Sequence, residues 1–477
     1  MHSSWHIATA SSGIVIGICL SGLAPDGLFY SIAWLLTGAG LIATSVWKSK
    51  VWYICFSLLG GLVIGLWRGS VALGEVTGYE SLMGETVTLR GVVKEDVETN
   101  KRGQTILRLA VVSIDKSGQN GTIWLTANTD KDIQRSDSIT AEARLSPGFG
   151  SFNASAYSAR IISVRPPSTP DIALEVRNWF ADGVRKVVKE PQASLGLGYL
   201  VGQRRGLPEE LDVALKAAGL THIVVASGYN LTILVRLARR LFERISKYLA
   251  FISASGMIVA FIAITGMSPS MSRAGLVAGL SIVAWYYGRR FHPIVLLLFA
   301  MAVTLLFNPS YAWGDIGWQL SFAAFGGVMI LAPLIQAYFF GDKQDKPLRR
   351  ILIETISAQI CTLPILLLVF GQFSAIAPIA NILILPLVPL AMLLTFIAGI
   401  GGVLFAEAGS YIVGVPAELL LTYMNVTAGY MGNLPWAVQQ ASIPLLVAVG
   451  MYVVIIIGCA YMSYRTKLSL ARTSLIE

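Results

Sequence analysis

The chain is 477 residues long with a formal net charge of +9, and 55% of its residues are hydrophobic against 13% charged. With a mean hydropathy of +0.65, that balance excludes an ordinary soluble globular domain and a disordered chain. The four cysteines, Cys19, Cys55, Cys361 and Cys459, lie in apolar runs without Cys-x-x-Cys spacing, and the four histidines, His2, His6, His222 and His292, form no ligand cluster. Neither a disulfide framework nor a metal site is indicated, and no cofactor is expected.

Apolar runs of about 18 residues or more recur along the chain, and each is a candidate membrane span. Three come first, at residues 8–24, 27–47 and 51–71. The N-terminus lacks the basic region and cleavage site of a signal peptide, so the first run reads as a retained span. Lys48 and Lys50, between the second and third spans, place that loop in the cytoplasm. The N-terminus is then cytoplasmic too, and the third span delivers the chain to the extracytoplasmic side.

The next stretch alternates with a period of two. Strands are predicted within residues 84–166, around 87–93, 105–112, 122–126, 138–143 and 159–164. Turn signals such as Lys101-Arg102-Gly103 and Ser146-Pro147-Gly148 separate them. Five short strands in about 80 residues fit a small Greek-key barrel of the OB-fold kind. Such barrels often bind single-stranded nucleic acid by stacking and a basic groove. Here Trp124, Phe149, Phe152 and Tyr157 are few enough to serve as core or membrane-facing residues instead.

Over residues 171–190, Ile172, Val176, Trp179, Val184 and Val187 fall near one helical face, with Arg177, Arg185, Lys186 and Lys189 displaced from it. That pattern predicts a helix lying along the membrane interface. Residues 192–218 read as short outer-surface helices that include the exposed pair Arg204-Arg205.

Nine further spans are predicted near 223–240, 248–266, 274–288, 293–307, 318–340, 351–370, 376–404, 411–431 and 443–463. Basic clusters at 236–247, 289–290, 343–350 and 465–472 all fall on the cytoplasmic side of this topology. Residues 220–477 carry 15 Lys/Arg and 8 Asp/Glu, so 15 − 8 = +7 of the net charge lies there. The predicted fold is a polytopic α-helical membrane protein of about 12 spans with an inserted extracytoplasmic OB-like β domain. Its regions are the three-span segment 1–71, the β domain 72–166, surface helices 167–218, a membrane domain 219–463 and a cytoplasmic tail 464–477.

Residues 219–247 are the most informative stretch. Ser227-Gly228-Tyr229-Asn230 interrupts an apolar run, and basic residues then recur at i, i+4, i+8 and i+11 (Arg236, Arg240, Arg244 and Lys247) along one helical face, with Arg239 beside them. A polar break followed by a cationic face suits a hydrated path for an anion. A small-residue helix contact followed by ordinary positive-inside charge gives the same pattern. Ser227 as a nucleophile with His222 as base is a third reading. A spacing of five points the two apart on a helix, and no Gly-x-Ser-x-Gly elbow is present. Pro364, Pro378, Pro386 and Pro389 break the 351–404 region around Asn381, as discontinuous transporter helices are broken.

Four stretches in order carry a family resemblance. Leu200-Val201-Gly202-Gln203-Arg204-Arg205-Gly206-Leu207 leads into Gly219-Leu220-Thr221-His222-Ile223, Ala226-Ser227-Gly228 and Asn230. Met267-Ser268-Pro269-Ser270 with Arg273-Ala274 is next, then Asp315-Ile316-Gly317-Trp318-Gln319-Leu320-Ser321-Phe322-Ala323. Last come Ala358-Gln359, Pro364, Phe370-Gly371-Gln372, Pro378-Ile379-Ala380-Asn381, Pro386 and Pro389. Over residues 192–404 the chain resembles the ComEC/Rec2-type competence proteins, the cell-membrane DNA channels of natural transformation.

The resemblance implies a non-enzymatic channel for single-stranded DNA, with both termini cytoplasmic. A permease or flippase for another anionic solute is the alternative. Membrane lipid, a separate nuclease, a DNA receptor and a cytoplasmic DNA translocase are the implied partners. Many members of this family continue into a metallo-β-lactamase-like nuclease domain, whose His-x-His-x-Asp-His cluster this sequence does not contain. The channel and not the nuclease is therefore expected. Arg204, Arg205 and Arg273 are the candidate outer entrance, and His222 is a further candidate for the DNA path. Ser227, Tyr229, Asn230, Gln319 and Asn381 are candidates for an uncharged lining, and Arg236 and Arg240 for the exit. Arg273 capping a neighbouring helix, or pairing with Asp315, is the structural alternative.

Overall fold

A computed structural model describes residues 4–25, 27–48, 51–100, 102–115, 117–203, 206–224, 227–266, 268–289, 292–341, 346–405 and 410–468. The chain opens with α1 (Ser4–Leu20), α2 (Ile32–Lys48) and α3 (Ile54–Glu80). Six strands come after them, β1 (Thr86–Val93), β2 (Glu98–Thr99), β3 (Thr105–Ile114), β4 (Ser117–Ala127), β5 (Ser138–Pro147) and β6 (Ala154–Arg165). Next are α4 (Ile172–Val187), α5 (Gln192–Val201), α6 (Glu209–Ala217), α7 (Thr221–Val224), α8 (Gly228–Glu243) and α9 (Lys247–Thr265). The chain continues as α10 (Pro269–Tyr286), α11 (Pro293–Phe307), α12 (Ser310–Trp313), α13 (Ile316–Gly326), α14 (Ala332–Phe340) and α15 (Pro347–Val369). It ends with β7 (Gln372–Ser374), α16 (Ala377–Ile384), α17 (Val388–Leu404), α18 (Ser410–Gly432), β8 (Val438–Gln440) and α19 (Leu445–Thr466).

Among the described residues eight helical segments are long and apolar enough to cross a membrane, and α2 and α11 are apolar but shorter. This is a membrane protein with a β domain. Of the expected spans, 27–47 and 293–307 correspond to the shorter α2 and α11, and 223–240 and 274–288 have no counterpart in either group. The helix over 223–240, α8, is only 16 residues long and carries Arg236, Arg239 and Arg240, which makes it amphipathic rather than apolar throughout. The helix over 274–288, α10, starts earlier than expected and takes in Ser270, Ser272 and Arg273.

Contacts divide the chain into two compact units, the first made of Met1–Ile172, Gly266–Arg273 and Ile294–Gln319. In it α1 and α3 pack backbone to backbone: a Cβ on Gly13 would lie 2.2 Å from the Leu58 carbonyl oxygen, and one on Gly61 2.1 Å from that of Ala10. Small residues permit this approach between apolar helices, where van der Waals contact replaces the hydrophobic effect. Arg68 of α3 donates through Nε to the Leu306 carbonyl at 2.9 Å, holding the open C-terminal end of α11.

The β domain closes on itself. Around the barrel, β1 pairs with β5, β5 with β6, β4 with β3 and β3 with β1, all antiparallel, while β4 and β6 run parallel. Five strands make the closed ring, and the two-residue β2 extends it beside β3. Alternation along β1 sends Val87, Leu89, Gly91 and Val93 inward, where Leu89 meets Leu107, Leu109, Ile123, Leu125 and Ile139. Each fully buried Leu or Ile contributes about 1.5–3 kcal/mol. Tyr79, in the last turn of α3, is fully buried in this same core and donates its hydroxyl to the Asn120 carbonyl at 3.2 Å.

The second unit comprises Ala173–Thr265, Ala274–Pro293 and Leu320–Glu477. Its core forms around α5, every residue of which from Ala193 to Val201 is buried. Residues of α4, α6, α16, α17 and α18 complete that core. The expected single apolar face of α4 splits in two. Val184 and Val187 enter the core with Leu174, Phe180 and Ala181 nearby on buried positions, whereas Ile172, Val176 and Trp179 are exposed. Arg177, expected off the face, is buried and its Nη1 reaches the Ile264 carbonyl at 3.4 Å.

Two features interrupt the later helices. A π-helical turn, Gly327–Leu331, joins α13 to α14, and a 3-10 turn, Leu385–Leu387, separates α16 from α17. Pro386 has no N–H to offer and its ring would clash with the carbonyl four residues back, which accounts for the second break. Pro364, by contrast, stays inside a continuous α15.

Candidate functional site

The site is best built from Gly219. Its φ of +73° turns the chain between α6 and α7, and a Cβ there would lie 2.5 Å from the Ala377 side chain at the start of α16. A left-handed residue this close to another helix favours glycine. The same corner is tied by Ser374, whose Oγ donates to the Ala217 carbonyl at 2.7 Å, and by Gln359, whose Nε2 donates to the Ser374 carbonyl at 2.6 Å. Pieces of the first and last motifs thus converge.

After α7 the helix breaks and restarts at Ser227, which has extended backbone and accepts the Asn230 N–H on its Oγ at 3.4 Å. This is the geometry of an N-cap. It gives Ser227 a helix-starting role and adds nothing to the nucleophile reading with His222, which lies on the four-residue α7. Asn230 is fully buried and donates from Nδ2 to the Tyr199 carbonyl of α5 at 3.0 Å. Tyr229 points the other way, its hydroxyl 3.4 Å from the carbonyl of Leu385 in the 3-10 turn. One broken helix therefore meets another at Tyr229.

From there α8 presents Tyr229, Arg236 and Arg240 at i, i+7 and i+11, one face of the helix. Arg236 lies within electrostatic reach of Arg240, Arg239 and Arg350, with Glu354 as the one carboxylate. Glu354 also acts on Tyr229, and Arg350 holds it through Nε at 2.9 Å. The result is a net-positive polar strip that starts at the helix breaks. Arg239 faces elsewhere: it is buried, 5.3 Å from the Trp285 ring centre, with Lys247 5.7 Å from the same ring. These two cations hold α10 against α8 and α9 by cation–π contact.

Asn381 is in the same unit, buried on α16, and its Oδ1 has no hydrogen-bond partner. Gln319, in the first unit, donates to the Ala312 carbonyl at 3.3 Å, and Arg273 is half-buried near the start of α10. Arg204 and Arg205 lie outside the described residues. The Asp315 motif has a docking geometry: Oδ1 accepts the Trp318 N–H at 2.7 Å and Oδ2 accepts the Ser151 hydroxyl of the barrel at 3.2 Å.

On the barrel, Trp124 packs edge-on against Phe149 and Phe152, with centroids 5.4 Å apart in both pairs, and Arg108 covers it at 5.4 Å. Those rings are engaged with one another, and Tyr157 is exposed. The barrel also holds a groove of about 690 Å³ lined by Arg90, Arg165 and Asp115 among the hydroxyls of Thr88, Ser113, Ser138 and Thr140. Asp115 is occupied by the Thr88 N–H at 2.7 Å. Two guanidinium groups among hydroxyls make this groove suited to anionic oxygen. Among the described residues no group of three or more His, Cys, Asp and Glu is placed to hold a metal ion.

The helices that build the strip lie inside the part of the chain that known proteins share. The model of the family described as "Competence protein" matches residues 199–465. The chain belongs to this competence protein family. The match bears out the resemblance to ComEC/Rec2-type proteins, as does 29% identity over 218 residues with ComE operon protein 3 of Bacillus subtilis (strain 168). That alignment covers 44% of this chain and 27% of the relative. An uncharacterized protein of Aquifex aeolicus (strain VF5) is 24% identical over 217 residues, 45% of this chain and 49% of the relative. The chain is thus aligned with about a quarter of one curated relative and about half of the other. No solved structure matches.

Sequence reasoning missed Arg350 and Glu354 as neighbours of Arg236, because Arg350 was read only as part of the basic cluster 343–350 and Glu354 fell within the expected span 351–370. It also passed over Asn425, whose amide N and O are both buried without a hydrogen-bond partner in α18. An Asn inside an apolar run was the available signal.

Proposed function

We propose that this competence-family protein passes single-stranded DNA across the cell membrane in natural transformation. The observation that carries the reading is the strip from Tyr229 through Arg236 to Arg240, which begins where two broken helices meet. A DNA strand presents a phosphate at every nucleotide, and spaced guanidinium groups hold phosphates without base preference. Contacts of this kind favour conduction only when each is weak enough to release. A strip with a carboxylate, Glu354, among its cations meets that condition.

In this reading the barrel is an OB-fold, since three consecutive strands are followed by two that close the ring with one parallel pairing. It lies outside the membrane by the charge on Lys48 and Lys50, with both termini cytoplasmic. Arg204, Arg205 and Arg273 then serve the outer entrance, and the groove of Arg90 and Arg165 gives the barrel its own phosphate contacts. The exposed Ile172, Val176 and Trp179 of α4 rest at the lipid interface. A separate nuclease, a receptor and a cytoplasmic translocase supply the single strand and draw it in. Deleting the gene should abolish DNA uptake while surface DNA binding persists. Uptake at the parental rate in the deletion strain would remove this function.

A further inference from the structure

The second unit contains polar groups that its own fold leaves without hydrogen bonds. Asn381, Thr395 and Asn425 are 4%, 0% and 8% exposed. Among the described residues, Asn381 Oδ1, Thr395 Oγ1 and both amide atoms of Asn425 find no partner. Threonines in other helices of the chain behave differently. Thr232, Thr265, Thr304 and Thr362 each donate to the carbonyl four residues back, at 2.7–3.0 Å. That local bond is the easiest one for a hydroxyl in an apolar helix, and Thr395 does not make it.

Position links the three groups. They lie on α16, α17 and α18, which pack on one another and share the core built on α5. A Cβ on Gly196 of α5 would lie 2.6 Å from Thr395 Oγ1 and 3.1 Å from Leu421 of α18. Asn425 comes one helical turn after Leu421 on the same side of α18. Asn230 reaches α5 one turn further on, at the Tyr199 carbonyl. A buried polar group without a partner destabilises the state that contains it. Thr395 and the Leu421 turn that leads to Asn425 lie against α5, and Asn381 lies on α16, which packs on α18, so the three belong to one core and their partners arrive from outside it.

We propose that Asn381, Thr395 and Asn425, buried in the core shared by α5, α16, α17 and α18, hydrogen-bond the polar edges of unpaired nucleotides when that core opens to let the strand pass. This rests on the DNA-channel reading and adds to it: the arginine strip handles phosphates, and the uncharged core groups handle bases. Amides and hydroxyls both donate and accept, so they serve any base edge without selecting one. The resting fold carries the unsatisfied groups, and the occupied state relieves them.

The test combines stability with uptake. Thr395→Val keeps the shape of the side chain and removes the hydroxyl, and Asn425→Leu and Asn381→Leu remove the amides. Each variant should raise the melting midpoint of the purified protein by about 2 °C or more. In cells each should lower DNA uptake by roughly tenfold at unchanged membrane level. Thr395→Ser, which keeps a hydroxyl, should retain uptake. A midpoint that falls in Thr395→Val would mean the hydroxyl has a partner in the resting fold and would overturn the proposal. So would a raised midpoint with wild-type uptake, which would mark the three groups as unused strain. Should the deletion strain take up DNA normally, the channel reading itself fails; should it not, while the three variants import normally, only the role of these core groups is wrong.

Discussion

Asp315 holds two parts of the first unit at once: its Oδ2 accepts the hydroxyl of Ser151 from the barrel at 3.2 Å. Its Oδ1 accepts the Trp318 N–H at the start of α13 at 2.7 Å. Beside it Gly150 and Gly314 are in backbone contact, a Cβ on Gly314 falling 2.1 Å from the Gly150 carbonyl oxygen. The barrel's β5–β6 loop is therefore seated on the motif that opens with Asp315.

Replacing Asp315 by Ala should cost about 1–2 kcal/mol through the lost cap, and should free the β5–β6 loop. Ser151→Ala should cost less, about 1 kcal/mol, since it removes one bond and leaves the cap. Thermal unfolding and limited proteolysis at residues 148–153 would show the ordering. Equal losses in the two variants would mean that the cap contributes nothing.

The arginines of α8 should separate by role. Arg236→Gln and Arg240→Gln are expected to lower DNA uptake by roughly fivefold or more each, with little change in stability. Arg239→Leu should do the reverse. It removes the contact with Trp285, worth about 0.5–2 kcal/mol, and leaves uptake within about twofold. Uptake assays and melting midpoints on the same three variants decide the matter. Loss of uptake in Arg239→Leu at normal stability would place Arg239 on the path.

The barrel groove makes a prediction for purified protein. Arg90→Gln with Arg165→Gln should weaken binding of a single-stranded oligonucleotide and flatten its salt dependence. Two lost phosphate contacts reduce the slope of log affinity against log salt by about 1.4. A slope identical to wild type would exclude the groove as a phosphate contact.

The parts of this protein legible in its sequence are those where one physical rule acts alone. Strict alternation at Val87, Leu89, Gly91 and Val93 gave away β1, because a barrel strand has one wet and one dry face. The break at Pro386 was legible too, although Pro364, expected to break its helix by the same missing N–H, stays inside α15. Legibility fails where rules compete. Over 223–240 the apolar average suggested a span, yet Arg236, Arg239 and Arg240 make α8 amphipathic. The arginines of that helix look alike in sequence, and only the position of Trp285 distinguishes Arg239 from Arg236 and Arg240. Nothing near Asp315 in the sequence pointed to Ser151, more than 160 residues earlier, whose hydroxyl it accepts.

Tyr79 belongs by sequence to a membrane helix and by packing to the barrel, where it is sealed among Leu89, Leu107 and Ile123. A fragment cut at Glu85 would lose that ring and admit water to an apolar interior that the intact chain keeps dry. Soluble preparations of the barrel should accordingly begin no later than Gly78. The same plug makes α3 and the barrel a single lever. A pull on the barrel's rim is delivered through the Tyr79 ring to a 27-residue helix and on to the glycine contact with α1, past the turn at 81–85.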